Sequence, residues 1–465
     1  MRKCPLLIAV ILTAVLQATP TLAQSPTNLT ALQGLVPTSA LANTAAGKAA
    51  LAANLAVTAA VQDGSAKQPL LLPFPEQQQQ ALRDAYITDG NAYELADGLG
   101  TALSHAYWSL VTFQSPNDGK TSSFTSLSPA IALLIAYTNG TTRSDSNSAK
   151  YFFGNETTDG KTMVSAEAAT IMTDAKGFPD IFGRAYDHPA GSSKANLYGD
   201  SRPFQTEPHL TLISGKDFFG VQSGNLDYLQ GPAQDLRNSP SFPSGHTTYG
   251  YAESLILALL VPQRYLEMLT RAAEYGNNRI IIGAHYAMDI LGGRTLATYD
   301  VAQLLANKAE YVGAKRGSLV IDNYQEALAA ARADMTGALE KGCGQTLTLC
   351  SRQDESRFAD PAKNRAFYEA TQTYGLPAVY EQTAGRTEDV RHLAPEAGYL
   401  LTVAFPYLTL AQADAILTKT EGPGGGFLDD GSAFGVYSRL DLYRAVEEAI
   451  SLAPVASENY IRAYR

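Results

Sequence analysis

Apolar residues recur at helical spacing through much of the chain, and almost nowhere do they alternate as a half-buried strand would require. Residues 30–62 are rich in Ala, Leu and Asn at such spacing, as in LANTAAGKAALAANLAVTAAV. KQPLLLPFPEQQQQ then interrupts with prolines and a glutamine run, a linker from which a helix is expected near Gln77. Between 85 and 175, Ala-rich helical stretches alternate with loops such as TNGTTRSDSNS and GNETTDGKT. Residues 176–240 are loop-like, with Gly, Pro and Asp throughout, and 246–311 are strongly helical. Farther on, Ala327, Leu328, Ala331, Met335 and Leu339 form an amphipathic stripe that reads as core packing. EGPGGGFLDDGS, at 421–432, lacks the Lys-Ser/Thr of a phosphate loop and reads as a flexible surface turn. No internal repeat or convincing β-hairpin signal stands out. The pattern predicts a mostly all-α protein with few strands.

Composition narrows the partners. The chain has 465 residues, 45% of them hydrophobic and 17% charged, with a formal net charge of −10. Its Lys and Arg residues are scattered rather than blocked, which argues against nucleic acid or an anionic membrane surface. A few converging cations can still hold a small anion inside an acidic protein. The N-terminus, MRKCPLLIAVILTAVLQATPTLAQS, has a charged start, an apolar stretch to about Leu16 and small residues at Thr21-Leu22-Ala23. Residues 1–23 are read as a signal peptide, too short for a comfortable span, with Cys4 removed on cleavage near Gln24. Secretion or a periplasmic location follows as an expectation. Cys343 and Cys350, in KGCGQTLTLC, then remain as an even pair expected to form a disulfide. Elsewhere no apolar run reaches the length of a membrane span, so no stable membrane insertion is expected. Four segments result: the signal peptide; a helical extension and linker at 24–84; a helical core at 85–315; and a mainly helical C-terminal extension at 316–465, of unassigned role. Oligomeric state is not legible.

The chemistry concentrates at SFPSGHTTYGYAES, 241–254, where prolines and Ser244 precede a long helix. A helix start offers unsatisfied amides and the positive end of the dipole to an anion, and His246 sits in that first turn. Downstream, NNRIIIGAHYAMDILGGR places His285 six residues after Arg279 and Asp289 four after His285. Four residues apart on a helix, Asp289 could accept from the Nδ1–H of His285, leaving Nε2 with its lone pair, prepared as a nucleophile. Arg279 offers a bidentate fork, and KANLYGDSRPF adds Lys194 and Arg202. Such a pocket suits a tetrahedral dianion and needs no metal, because cations and amides can neutralise developing charge. His105, His188, His209 and His392 have no partners at ligand spacing and read as structural or surface residues.

The R-P, P-S-G-H and R-x5-H-x3-D blocks, in this order and spacing, resemble the phosphatidic acid phosphatase type 2/vanadium haloperoxidase superfamily. Among its members the bacterial class A non-specific acid phosphatases are the most similar, and the likeness covers roughly 160–310. The resemblance implies an all-helical bundle, here with additional N- and C-terminal helical segments. It further implies His285 as the nucleophile that becomes a phosphohistidine, Asp289 as its orienting partner and His246 as general acid. Lys194, Arg202, Arg279 and the Ser244–Gly245 segment would cradle the phosphate. Two departures stand out: Lys194 is one position too far from Arg202, with Ala195 at the family's place, and Asn278 replaces the usual serine before Arg279.

These implications give an exported, metal-independent acid phosphatase acting on small phosphate monoesters. No cofactor is expected, and vanadate should inhibit. One alternative is a vanadate-dependent haloperoxidase with vanadate bound to His285, although the 33 positions between His246 and Arg279 suit the phosphatases. Another is a non-catalytic phosphate-binding envelope protein.

Overall fold

The computed structural model describes residues 44–86, 92–114, 123–141, 202–207, 210–231, 241–313 and 318–454, together with 31, 34, 35, 41, 236 and 315. The signal-peptide stretch, Lys194, His188 and His209 lie outside the described residues.

Helices dominate. The principal ones are α1 (Ala45–Asp63), α2 (Phe74–Asp84), α3 (Thr101–Leu110), α4 (Pro129–Thr141), α5 (Asn225–Gln230), α6 (Gly245–Leu260), α7 (Tyr265–Ile281) and α8 (Ala287–Leu305). They are followed by α9 (Tyr324–Cys343), α10 (Pro361–Thr373), α11 (Leu410–Lys419), α12 (Ala433–Arg439) and α13 (Leu442–Ser451). The linker helix begins at Phe74 rather than near Gln77, because Pro75 is tolerated in a first turn where its missing N–H would be unpaired anyway.

Helix α6 is the hub. Every residue from Gly245 to Leu260 is buried, so it carries no polar face and is enclosed on all sides. It packs against α7, α8, α4 and α9. Burying each Leu or Ile of its LILALL run contributes roughly 1.5–3 kcal/mol. The stripe residues Leu328, Ala331, Met335 and Leu339 of α9 join this core, and α10 and α13 cover α7. The C-terminal helices therefore share one hydrophobic core with α3, α4 and α6–α8. A second cluster joins α1 and α2 to residues 280–291 and to Phe427, Leu428 and Phe434. Cys343 and Cys350 form a disulfide that ties the end of α9 to the short helix Leu347–Ser351. Among the described residues no helix is long and apolar enough to cross a membrane.

Two local expectations are corrected. A hairpin pairs Ser214–Lys216 with Gln222–Gly224, where no hairpin signal was read. Its turn is set by side-chain chemistry rather than alternation: Asp217 Oδ1 accepts from Phe219 N and Val221 N, both at 2.9 Å. The glycine-rich stretch at 421–432 is not a flexible surface turn either. Asp429 is buried, its Oδ2 accepts from Gly425 N at 2.6 Å, and Phe427 packs edge-on to Phe242 at 6.5 Å between centroids. One inward carboxylate and two apolar anchors outweigh five glycines.

Candidate functional site

The end of α7 sets the site. Gly283 adopts φ +81°, its N–H bonds to Ile280 O at 2.9 Å, and Ala284 N bonds to Arg279 O at 3.0 Å. This is a Schellman turn, which glycine closes without the steric cost other residues meet at positive φ. The turn reverses the chain within two residues of His285. Gly283 O also accepts from Phe204 N at 3.1 Å, which brings Arg202 to the same place.

His285 and Asp289 meet, but not as neighbours on one helix. His285 precedes α8, Tyr286 is its N-cap, and Asp289 lies in the first turn. Asp289 Oδ2 accepts from Tyr286 N at 2.8 Å and from the Ser241 hydroxyl, and stands 3.3 Å from His285 Nδ1. On the other side of the ring, Arg202 Nη1 lies 3.0 Å from His285 Nε2 and donates to Ala284 O at 3.0 Å. Arginine can only donate, so Nε2 is the accepting nitrogen and Nδ1 carries the proton toward Asp289. Both residues and Arg202 are fully buried.

The N-terminus of α6 faces this ring. Ser244 caps the helix, its Oγ accepting from Thr247 N at 3.1 Å. The Ser244 N–H is committed to Asp289 O at 3.0 Å, so of the two amides expected to face an anion only that of Gly245 bonds to no described residue. The two helix starts approach closely because α8 offers Gly293 here; a Cβ at that position would stand 2.4 Å from Ser244 O. The His246 ring centroid is 6.1 Å from that of His285.

Tyr228 of α5, which the sequence reading passed over, links the remaining groups. Its hydroxyl is 2.7 Å from His246 Nε2 and accepts from Arg279 Nη2 at 2.7 Å, while the Arg279 guanidinium lies over its ring at 4.8 Å. Burial works to lower the Arg279 pKa, but the phenols of Tyr228, Tyr275 and Tyr249 outweigh it, so the net shift is upward and the guanidinium stays charged. Its Nε and Nη1 are buried with no hydrogen-bond partner among the described residues. A buried cation with unsatisfied donors is costly unless an anion completes it.

Behind Arg279, a network fixes α7. Arg271 donates to both oxygens of Asp84 at 2.8 and 2.7 Å and to Asp97 at 2.6 Å, and Arg357 from the C-terminal half pairs with Asp97 and Glu274. Asn278 belongs here: it donates to Asp84 Oδ2 at 2.7 Å and accepts from Gln77 at 2.8 Å. Its replacement of a serine therefore serves the helix packing of α2 on α7. Burial first, and the Asp84 charge second, push Glu94 in this network well above the carboxylate range.

Thus Arg202, Ser244, Gly245, His246, Arg279, His285 and Asp289 converge, and Tyr228 and Ser241 join them. Of the four histidines read as structural or surface residues, His105 and His392 are exposed. Among the described residues no group of three or more His, Cys, Asp or Glu side chains could hold a metal ion.

Residues 192–306 match the family model of the PAP2 superfamily. The non-specific acid phosphatase of Salmonella typhimurium is 41% identical over 69 residues, 15% of this chain and 28% of that protein. The acid phosphatase of Zymomonas mobilis is 39% identical over 71 residues, 15% of this chain and 27% of that protein. The non-specific acid phosphatase of Providencia stuartii is 34% identical over 144 residues, 29% of this chain and 56% of that protein. The matches thus span between about a quarter and just over half the length of these relatives.

Proposed function

Residues 192–306 match the family model of the PAP2 superfamily, and from that premise we propose that this chain is an acid phosphatase that hydrolyses small phosphate monoesters through a phosphohistidine. The observation that carries the reading is the two-sided hold on His285: Arg202 at Nε2, Asp289 at Nδ1. Substrate phosphate would draw Arg202 to its own oxygens and release the Nε2 lone pair. Arg279, through its open Nε and Nη1, and the Gly245 amide would take the other oxygens and stabilise charge as it develops. Nε2 attacks phosphorus, the ester P–O bond breaks, and the leaving oxygen takes a proton from His246. In the second step His246 accepts a proton from water, the water oxygen attacks phosphorus, and the N–P bond breaks to free phosphate.

Asp289 keeps the ring in the Nδ1–H tautomer and stabilises the positive charge that the ring carries when phosphorylated. Lys194 is proposed as a further phosphate ligand. The N-terminal sequence and the Cys343–Cys350 disulfide support export of the protein to an oxidising compartment. The test is hydrolysis of p-nitrophenyl phosphate with EDTA present, with and without vanadate. Turnover that resists EDTA and is blocked by vanadate is the expected result. Turnover that EDTA abolishes would overturn the reading.

A further inference from the structure

A second cavity lies beside α8, built by the C-terminal half of the chain. It has a volume of about 60 Å3 and is walled by Leu291 and Arg294 of α8, by Leu376, and by Phe427 and Leu428 beyond the glycine-rich loop. Its rim includes the exposed Ala378 and Pro423, so solutes can reach it. At about 100° per residue, Arg294 projects about 140° around α8 from Asp289, which separates this cavity from the phosphate-facing residues.

Arg294 is the unusual wall residue. It is 5% exposed, and only its Nη2 is used, donating to Leu440 O at 3.0 Å and to the Tyr368 hydroxyl at 3.3 Å. Its guanidinium lies over the Tyr368 ring at 5.1 Å. Nε and Nη1 meet no acceptor among the described residues, and no carboxylate there forms an ion pair with Arg294. Asp441 acts on it only at longer range. The glycine-rich loop supplies further donors: Gly424 and Gly426 line the cavity, and their N–H groups bond to no described residue. The rest of the wall is mixed, with Thr295, Gln372, Thr373 and Ser438 beside the apolar side chains. A buried cation without a counter-ion is stabilised by an anion, and the apolar part of the wall suits one that brings a small apolar body.

We propose that this cavity is a second binding site, for a small apolar carboxylate of about four to six non-hydrogen atoms. Its carboxylate pairs with Arg294 and the loop amides, and its hydrocarbon part lies against Leu291, Leu376 and Phe427. A phosphate dianion is disfavoured, since Arg294 is the one charged residue among the described residues lining the cavity and leaves about half of a dianion's charge unpaired.

Butyrate is the probe, titrated calorimetrically into the full chain held with saturating inorganic phosphate, with butyramide as its neutral isostere. Butyrate is expected to bind and butyramide not to. Arg294→Gln should weaken butyrate about tenfold or more, the worth of a charge-assisted contact. Gly426→Leu should also weaken it: Gly426 lines the cavity, its backbone is not left-handed and a Cβ there meets no atom within 4 Å, so a bulky side chain crowds the opening without strain. Neither variant should change p-nitrophenyl phosphate turnover, and if Arg294→Gln fails to fold, Gly426→Leu decides alone. Butyramide binding as well as butyrate, competition by phosphate, unaltered binding in Gly426→Leu, or no butyrate binding would each overturn the proposal.

Discussion

Gly283→Ala tests whether the turn at the end of α7 sets the site. At φ +81° an alanine pays about 1–2 kcal/mol for the left-handed backbone. The added Cβ would also stand 2.5 Å from Leu210 Cδ1 and 2.8 Å from Gln62 Nε2. Both are ends of flexible side chains, so they yield at a rotamer cost of about 0.5–1.5 kcal/mol. The sum, about 1.5–3.5 kcal/mol, corresponds to a fall in Tm of about 2–4 °C, since a chain of this length unfolds with an entropy of roughly 1 kcal/mol/K. Turnover should fall further than stability does, because Gly283 O anchors the Arg202 segment and His285 follows two residues later. A misplacement of about 1 Å costs on the order of 100-fold in rate. Gly220→Ala is the control: its φ is +76°, yet a Cβ there meets nothing within 4 Å. It should cost only the backbone part and leave turnover intact. Measuring Tm by calorimetry and kcat on p-nitrophenyl phosphate for both variants decides the matter. Equal Tm losses, with turnover of Gly283→Ala preserved, would refute the argument.

Three further outcomes follow from the same geometry. Asp289→Asn should lower kcat about 10³- to 10⁴-fold with little change in KM, since the amide can hold the wrong tautomer of His285 in place; a pH–rate profile and KM comparison check this. Tyr228→Phe should lower KM for phosphate esters several-fold, because substrate no longer competes with the phenol for Arg279 and His246; a raised KM would contradict it. Glu421 is pushed up to about 7, by burial first and despite Arg439 beside it, so the folded state binds a proton that the unfolded state releases at lower pH. Its contribution to stability is therefore full below the ordinary carboxylate range and lost as pH rises through about 7, and Glu421→Gln should flatten the rise in Tm seen on acidification.

Much of the site was legible because its residues stand in short blocks whose spacing reflects local geometry. Arg279, Gly283 and His285 are adjacent through one helix-ending turn, and Ser244 and His246 share one helix start. The His285–Asp289 pair was found through the wrong geometry. An (i, i+4) helical contact was expected, whereas Tyr286 N-caps α8 and Asp289 reaches back from its first turn. Tyr228 and Ser241 carried no such signal. Tyr228 sits on a six-residue helix in a loop-like region, and its role depends on a fold that brings α5 against α6 and α7. Ser241 was in view, three residues before the helix cap, but nothing local says that its hydroxyl turns to Asp289. The glycine-rich loop misled for the same reason: composition suggested mobility, while Asp429, Phe427 and Leu428 bury it through contacts distant in sequence.

The central claim is that His285 takes the phosphoryl group. The direct measurement is peptide mass spectrometry of protein quenched during turnover in alkaline denaturant, which preserves phosphohistidine and hydrolyses acyl phosphates. The account predicts one phosphoryl group on the peptide carrying His285, absent from His285→Ala and accumulating in variants of His246. A phosphoryl group on any other residue, or steady turnover by His285→Ala, would contradict it.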